Sequence, residues 1–237
     1  MIILEGEPIV SHMKNLLLPV ICLTAGVALI FGSQNPQAPR NTATVRGKII
    51  FNGTQTARVI NMSSDPGCPG GPQSNHEGLE DVIVYATPQV QAAYFPPANG
   101  VLLDRLGCRF VPHTITMQVG QGLVIRNSDT TAHNAHGWPV TNKPFNISLA
   151  SRGAETTQFL QQEEIFPIRD DVHNWESANV GVFLHPYHTV SKVNGVYEFV
   201  VPEGSYEIVA WHEKLGKVSQ SVDTRAGETR TLDITFK

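Results

Sequence analysis

Residues 114–136 of the chain read TITMQVGQGLVIRNSDTTAHNAH and contain the pattern that decides the fold. Two runs rich in β-branched and apolar residues, 114–119 and 122–127, are separated by a glycine-containing turn, which favours two strands. A polar stretch with two histidines, His133 and His136, follows directly. The stretch therefore predicts β-structure with a group of candidate metal ligands at the end of a strand.

Short strand-like runs of this kind recur along the chain. Further strands are predicted at residues 44–51, 82–85, 180–184, 195–201, 206–211 and 229–236. Turn sequences such as Asn52-Gly53 and Asn194-Gly195 separate them. No long stretch after residue 40 has sustained helical periodicity. We therefore predict an all-β protein, an antiparallel sandwich or barrel.

Composition limits the functions that the chain can have. Its 237 residues are 41% hydrophobic, which is enough for an ordinary core. The formal net charge is −4 and only 16% of residues are charged. No basic stripe is present, so a nucleic-acid partner is not expected.

The N-terminal segment has the layout of an export signal. Met13-Lys14-Asn15 precedes an uncharged stretch, residues 16–32, and a polar run, residues 33–40. We predict a signal peptide and linker over residues 1–40, with translation starting at Met13 as an alternative, and a periplasmic or secreted mature protein. An uncleaved membrane anchor stays open, and this segment would then be the only membrane contact.

Two cysteines, Cys68 and Cys108, follow the predicted signal. In an oxidising compartment such a pair is expected to form a disulfide. The chain-entropy model gives a loop of this length a stabilisation of about 4 kcal/mol. A metal-binding thiolate is the functional alternative.

The histidines and carboxylates form two groups beside predicted strands. His133 and His136 follow one strand, and Asp170, His173 and Glu176 precede the strand predicted at 180–184. Loops at strand ends converge at one pole of a sandwich, so these side chains are candidate ligands of one ion.

Asn127-Ser128-Asp129 followed by His133-Asn134 resembles the first ligand segment of plastocyanin and related cupredoxins. The second ligand loop of exported, methylamine-utilisation-like cupredoxins reads Cys-x-x-His with a nearby Met, and the aligned residues here are Asp170, His173 and Glu176. The resemblance extends over about residues 43–237 and implies a Greek-key β-sandwich, a copper site and electron transfer.

Asp170 is the chemically decisive departure from that family, because a blue-copper centre needs a cysteine thiolate. A carboxylate is a hard ligand, so the set His133, Asp170, His173 and Glu176 favours Cu(II) or Zn(II) over Cu(I). His136 is an additional candidate ligand. A site that binds no metal is the alternative. Cys108 precedes His133 in the chain, which is the wrong order for the family's thiolate.

These observations predict two domains and a binding function. Residues 41–190 are assigned to the cupredoxin-like domain, and residues 191–237 to a C-terminal β region whose hairpins resemble carboxypeptidase regulatory-like domains. Pairing of the early strand with this region is equally open. We predict a non-enzymatic metal-binding protein with a redox or other protein partner. One alternative is a metal-free interaction or carbohydrate-binding module, and another is a metal-dependent enzyme with an open coordination position.

Overall fold

The computed structural model describes residues 41–53, 68, 79–88 and 94–237. Nearly all of the regular structure is strand, and the described residues contain no α-helix. The strands are β1 (Thr42–Phe51), β2 (Ile83–Pro88), β3 (Val101–Arg105), β4 (Phe110–Val111), β5 (Thr114–Gln118), β6 (Gly122–Asn127), β7 (His133–Gly137), β8 (Phe145–Leu149), β9 (Glu155–Phe159), β10 (Glu164–Arg169), β11 (Ser177–Phe183), β12 (His188–Val190), β13 (Val196–Pro202), β14 (Gly204–His212), β15 (Gly216–Thr224), β16 (Thr229–Thr231) and β17 (Ile234–Phe236).

Strands β3 to β11 form a central sandwich of two sheets. One sheet has the order β4-β3-β6-β9 and the other β5-β11-β10-β7-β8, with parallel β3–β6 and β5–β11 pairs and antiparallel neighbours elsewhere. The chain crosses repeatedly between the sheets, and both contribute to one buried apolar core. This arrangement confirms the predicted all-β sandwich, although the two parallel pairs depart from the purely antiparallel pairing that the sequence predicted. The cupredoxin-like Greek-key topology stays a prediction.

Burial patterns explain why these sequences form these strands. In β6 the side chains of Leu123, Ile125 and Asn127 alternate inward, as expected for a strand with one buried face. Strand β11 is buried along almost its whole length, because both of its faces are covered. Ala178, Val180 and Val182 pack in the central core, and Phe183 on the opposite face contacts Tyr85 of β2.

The remaining strands form two further sheets, β13-β1-β16 with β17 beside β1, and β12-β2-β14-β15. They share a second apolar core. Strand β1 pairs antiparallel with β13 and parallel with β16 and β17. Of the two arrangements left open by the sequence, the early strand therefore pairs with the C-terminal region. The division at residue 190 stays a prediction, although β1 and β2 share sheets and a core with strands beyond that residue.

Several local predictions can be compared with the structure directly. The Asn194-Gly195 turn is present, with φ values of 69° and 76°, and β14 and β15 form an antiparallel hairpin. The likeness of this hairpin to carboxypeptidase regulatory-like domains stays a prediction. The stretch starting at His133 is strand β7, so the predicted loop was wrong there.

The predicted disulfide is confirmed, since Cys68 and Cys108 are bonded. The predicted signal peptide and linker, residues 1–40, lie outside the described residues. None of the described residues belongs to a helix of the length and apolarity that crossing a bilayer needs.

Candidate metal centre

Four of the five predicted ligands converge at one end of the central sandwich. His133, Asp170, His173 and Glu176 each present a ligand atom, and these atoms lie within 4.8 Å of one another. His133 is the first residue of β7, and the other three lie in the loop between β10 and β11. Strand β7 pairs with the end of β10, Arg169 opposite His136, which brings the loop beside His133.

The distances between the histidine nitrogens and the carboxylate oxygens are nearly equal. His133 Nδ1 lies 3.3 Å from Asp170 Oδ2 and 3.5 Å from Glu176 Oε1. His173 Nδ1 lies 3.4 Å and 3.5 Å from the same two oxygens. A tetrahedral ion with metal–ligand bonds of about 2.0–2.1 Å has edges of about 3.3–3.4 Å. The four nitrogen–oxygen distances therefore match the edges of a tetrahedral N₂O₂ site, and the remaining nitrogen–nitrogen and oxygen–oxygen separations are at most 4.8 Å.

Glu176 supplies a second indication that the site accepts a ligand. Its side chain is fully buried, and its Oε1 atom has no hydrogen-bond partner. A buried carboxylate oxygen without a donor carries a desolvation cost. A cation at the centre of the cluster would remove that cost.

The two oxygens of Asp170 have different functions. Oδ1 accepts hydrogen bonds from the backbone N–H groups of Val172 and His173, at 2.8 and 2.9 Å, and so closes the ligand loop on itself. Oδ2 accepts one from the backbone N–H of Asn134 on β7, at 3.1 Å, and faces the cluster. One carboxylate thus shapes the loop and offers a ligand atom at the same time.

Hydrogen bonding keeps Asp170 ionised. Burial alone would raise its pKa, but hydrogen bonds from His133, from the His173 backbone and from Arg105 hold the pKa far below its ordinary value. Asp170 is therefore an anion at any pH at which the protein is expected to work.

Arg105, at the end of β3, is a member of the cluster that the sequence did not indicate. Its side chain is fully buried. The guanidinium bonds Asp170 Oδ2 at 3.0 Å, forms an ion pair with Glu176, and donates to the Asn134 carbonyl at 2.5 Å. The guanidinium carbon, Cζ, lies 3.7 Å from the centre of the Phe110 ring, so the positive charge also faces an aromatic ring.

The charge of this environment favours a divalent cation. Besides Asp170 and Glu176, a third carboxylate belongs to this environment. It is Asp129, whose Oδ2 atom lies 3.3 Å from His133 Nε2. Three carboxylates face one guanidinium, so the cluster carries two net negative charges in the form in which all three carboxylates are ionised and both histidines are neutral. Burial lowers the pKa of Arg105, and Asp170 acts in the opposite direction; the guanidinium stays charged. A divalent cation would balance the remaining charge.

His136, the fifth predicted ligand, lies apart from the cluster. Along β7 the side chains alternate, so His133 and Ala135 are buried while Asn134 and His136 face the other way. His136 Nδ1 lies 3.0 Å from Asp171 Oδ1, and its ring stacks on Trp138 at 3.8 Å. Its separation from the cluster follows from the strand period.

No protein-family model matches the chain, and no curated protein sequence matches it. A copper-containing nitrite reductase from Thermus scotoductus SA-01 is a structural neighbour, with a TM-score of 0.34 and 18% identity over 41% of this chain and 25% of that chain. The chain thus spans a quarter of the length of that enzyme.

Two other structural neighbours are small cupredoxins. A Cu(I) mutant of amicyanin has a TM-score of 0.32 and 11% identity, over 42% of this chain and 97% of that one. A purple cupredoxin from Nitrosopumilus maritimus has a TM-score of 0.28 and 23% identity, over 31% and 80%. All three TM-scores lie below 0.5, so the fold assignment rests on the strand pairing described above.

Proposed function

We propose that this chain is a periplasmic or secreted protein that binds one Cu(II) or Zn(II) ion through His133, Asp170, His173 and Glu176. The observation that supports this most directly is the spacing of the four ligand atoms, 3.3–3.5 Å between each nitrogen and each oxygen. The two unbalanced negative charges around them favour a divalent ion over Cu(I).

The ligand chemistry argues for a non-blue site. Two imidazoles and two carboxylates lack the thiolate that gives blue-copper centres their colour and fast electron transfer. Binding, rather than catalysis, is the role that we assign to this set. A redox partner and an electron-transfer role follow from the sequence resemblance alone.

Arg105 favours one competing function, a metal-free interaction module. Its guanidinium already bonds both Asp170 and Glu176, so the folded chain partly neutralises its own carboxylates. In that case the ion cluster would only hold the ligand loop in place. The two functions differ in whether one equivalent of metal binds.

Metal titration tests the proposal with a matched pair of variants. Apo protein, prepared with a chelator, is titrated with Cu(II) and with Zn(II) by calorimetry, and the bound metal is counted after dialysis. We expect one ion per chain in the wild type and none in His133→Gln. His136→Gln is the control, because His136 lies on the same strand but faces away, and it should bind as the wild type does. A wild-type protein without stoichiometric binding refutes the metal proposal and favours the metal-free module.

A further inference from the structure

The Cys68–Cys108 disulfide lies beside two of the proposed metal ligands. Both sulfur atoms of Cys68 and Cys108 lie within 4.8 Å of a ring nitrogen of His133 and a carboxylate oxygen of Glu176. All four residues are buried. The two cysteines therefore do more than close a distant loop, since they border two of the four proposed ligands.

Asp129 couples the Cys108 turn to His133. Gly107 and Cys108 both have positive φ values, 63° and 54°, which turns their backbone N–H groups toward one acceptor. Both donate to the Asp129 carboxylate at 2.8 Å, and the same carboxylate lies 3.3 Å from His133 Nε2. In the absence of an ion, His133 Nδ1 faces Asp170 Oδ2 and Arg105. When an ion takes the place of the Nδ1 proton, the negative charge of Asp129 favours the ring proton on Nε2.

We propose that reduction of the Cys68–Cys108 disulfide creates a second metal site, in which Cys68, Cys108, His133 and Glu176 bind a borderline or soft ion such as Zn(II) or Cu(I). The two sites share His133 and Glu176, so the chain holds one ion at a time. The inference depends on the proposed function only through these two shared ligands. The disulfide state thus selects between an N₂O₂ and an S₂NO ligand set.

The redox step balances with a dithiol as the reductant. The reductant supplies two electrons and two protons, the S–S bond breaks to give two thiols, and the dithiol closes to its own disulfide. Each thiol then releases its proton when its sulfur binds the ion. Reoxidation needs both sulfurs free and therefore releases the ion from this site.

The second site forms when the two sulfurs, no longer bonded to each other, move apart around an ion. A tetrahedral site with Zn–S bonds of about 2.3 Å has edges of about 3.6–3.8 Å, and the sulfurs already lie within 4.8 Å of the His133 and Glu176 ligand atoms. Asp170 does not belong to the second ligand set, but it keeps its contact with Arg105 and the hydrogen bonds from the backbone N–H groups of Val172 and His173. Moving the ion toward the sulfurs therefore does not strand a buried carboxylate.

Cobalt(II) is a suitable probe, because thiolate coordination gives it an intense near-ultraviolet charge-transfer band. The full mature protein is reduced anaerobically with a phosphine, which takes an oxygen atom from water to form the phosphine oxide. After gel filtration, one equivalent of Co(II) is added to the reduced and to the oxidised protein. We expect the thiolate band in the reduced protein alone, and its loss when Zn(II) displaces Co(II).

Two variants separate this inference from the proposed function. Cys68→Ser/Cys108→Ser should bind Co(II) without the band under both conditions, whereas His173→Gln should keep the band when reduced but lose binding when oxidised. Metal uptake by the oxidised protein with no band after reduction overturns the second site alone. A band after reduction with no uptake before it overturns the first site alone.

Circular dichroism of the same samples checks the fold. Reduced protein that stays folded, has two titratable thiols and gives no band refutes the inference. Reduced protein that unfolds even with one equivalent of Zn(II) refutes it equally, because a thiolate site of the folded state should stabilise that state.

Discussion

Arg105→Met tests whether the buried guanidinium holds the apo cluster together. The methionine keeps an aliphatic stem beside Phe110 but removes the charge that contacts Asp170 and Glu176. Both carboxylates then lie in a buried site without a fixed cation. We expect a large loss of stability in the absence of metal.

The magnitude follows from the burial of this ion cluster. The side chains of Arg105, Asp170 and Glu176 are all 0% exposed, so solvent screening does not reduce the effect. Removing one partner of a buried ion pair costs about 3–5 kcal/mol. Saturating Zn(II), at about 100 times its dissociation constant, stabilises a binding protein by about 2.7 kcal/mol. That stabilisation should be larger in Arg105→Met, because the variant lacks the positive charge that opposes the ion.

Urea unfolding in chelator and in excess Zn(II) provides the assay. Arg126→Met is the matched control, since Arg126 also pairs with an aspartate, Asp104, but its side chain is 38% exposed; its midpoint should change little. Arg105→Lys retains the charge without the planar fork and should lose less than Arg105→Met. A wild-type midpoint for Arg105→Met in chelator refutes the role of the cluster. A variant that gains nothing from Zn(II) favours the metal-free function.

Three other perturbations test the titration and ligand chemistry. Because the pKa of folded Asp170 is lowered, its stabilisation is present above the unfolded value of about 3.9 and is lost as the pH falls below it. Urea midpoints of Asp170→Asn should therefore depend less on pH in the acid range, and a profile parallel to the wild type would contradict this. Burial and, to a smaller extent, the charge of His185 lower the pKa of His188 to about 4. As the pH falls from about 6.5 to 4, this histidine therefore binds a proton in the unfolded chain but not in the folded one, and the wild type should lose stability. His188→Phe keeps the ring stacking on Phe183, whose centroid lies 4.9 Å from that of His188, and should reduce this loss; equal slopes would refute the argument. Asp170→Cys loaded with Cu(II) should gain an intense blue thiolate band, and a colourless copper-loaded variant would show that Asp170 does not occupy the thiolate position.

The sequence indicated the loop ligands because they are local. Asp170, His173 and Glu176 lie within seven residues, directly before a strand, and their spacing survives folding whatever the rest of the chain does. His136 was assigned to the ligands because His133–Gly137 contains residues with low strand propensity, and the stretch reads as a loop. Pairing with β8 and β10 makes it a strand, and the two-residue period then separates His136 from His133.

Long-range contacts explain what the sequence did not indicate. Strand β1 pairs with β13, which begins about 150 residues later, and no local pattern specifies such a partner. Cys108 was rejected as a ligand from its order in the chain, yet the central sandwich places its sulfur beside His133. The order of residues in the chain does not reveal this proximity, because it depends on the Asp129 carboxylate, which accepts hydrogen bonds from Gly107 and Cys108 and also lies beside His133.

Arg105 was overlooked for a different reason, which also explains how Asp170 can be buried as an anion. A lone arginine at the end of a strand has no sequence signature. However, a buried loop with Asp170 and Glu176 requires a compensating cation, because an unpaired buried carboxylate is too costly to remain charged. Arg105 supplies one positive charge, and the hydrogen bonds to Asp170 Oδ1 close the loop without any metal. The carboxylate thus stabilises the fold in the apo state, while Glu176 Oε1 stays without a donor. Glu176 therefore keeps one buried acceptor without a donor, which a further cation, a proton or a metal ion, would satisfy.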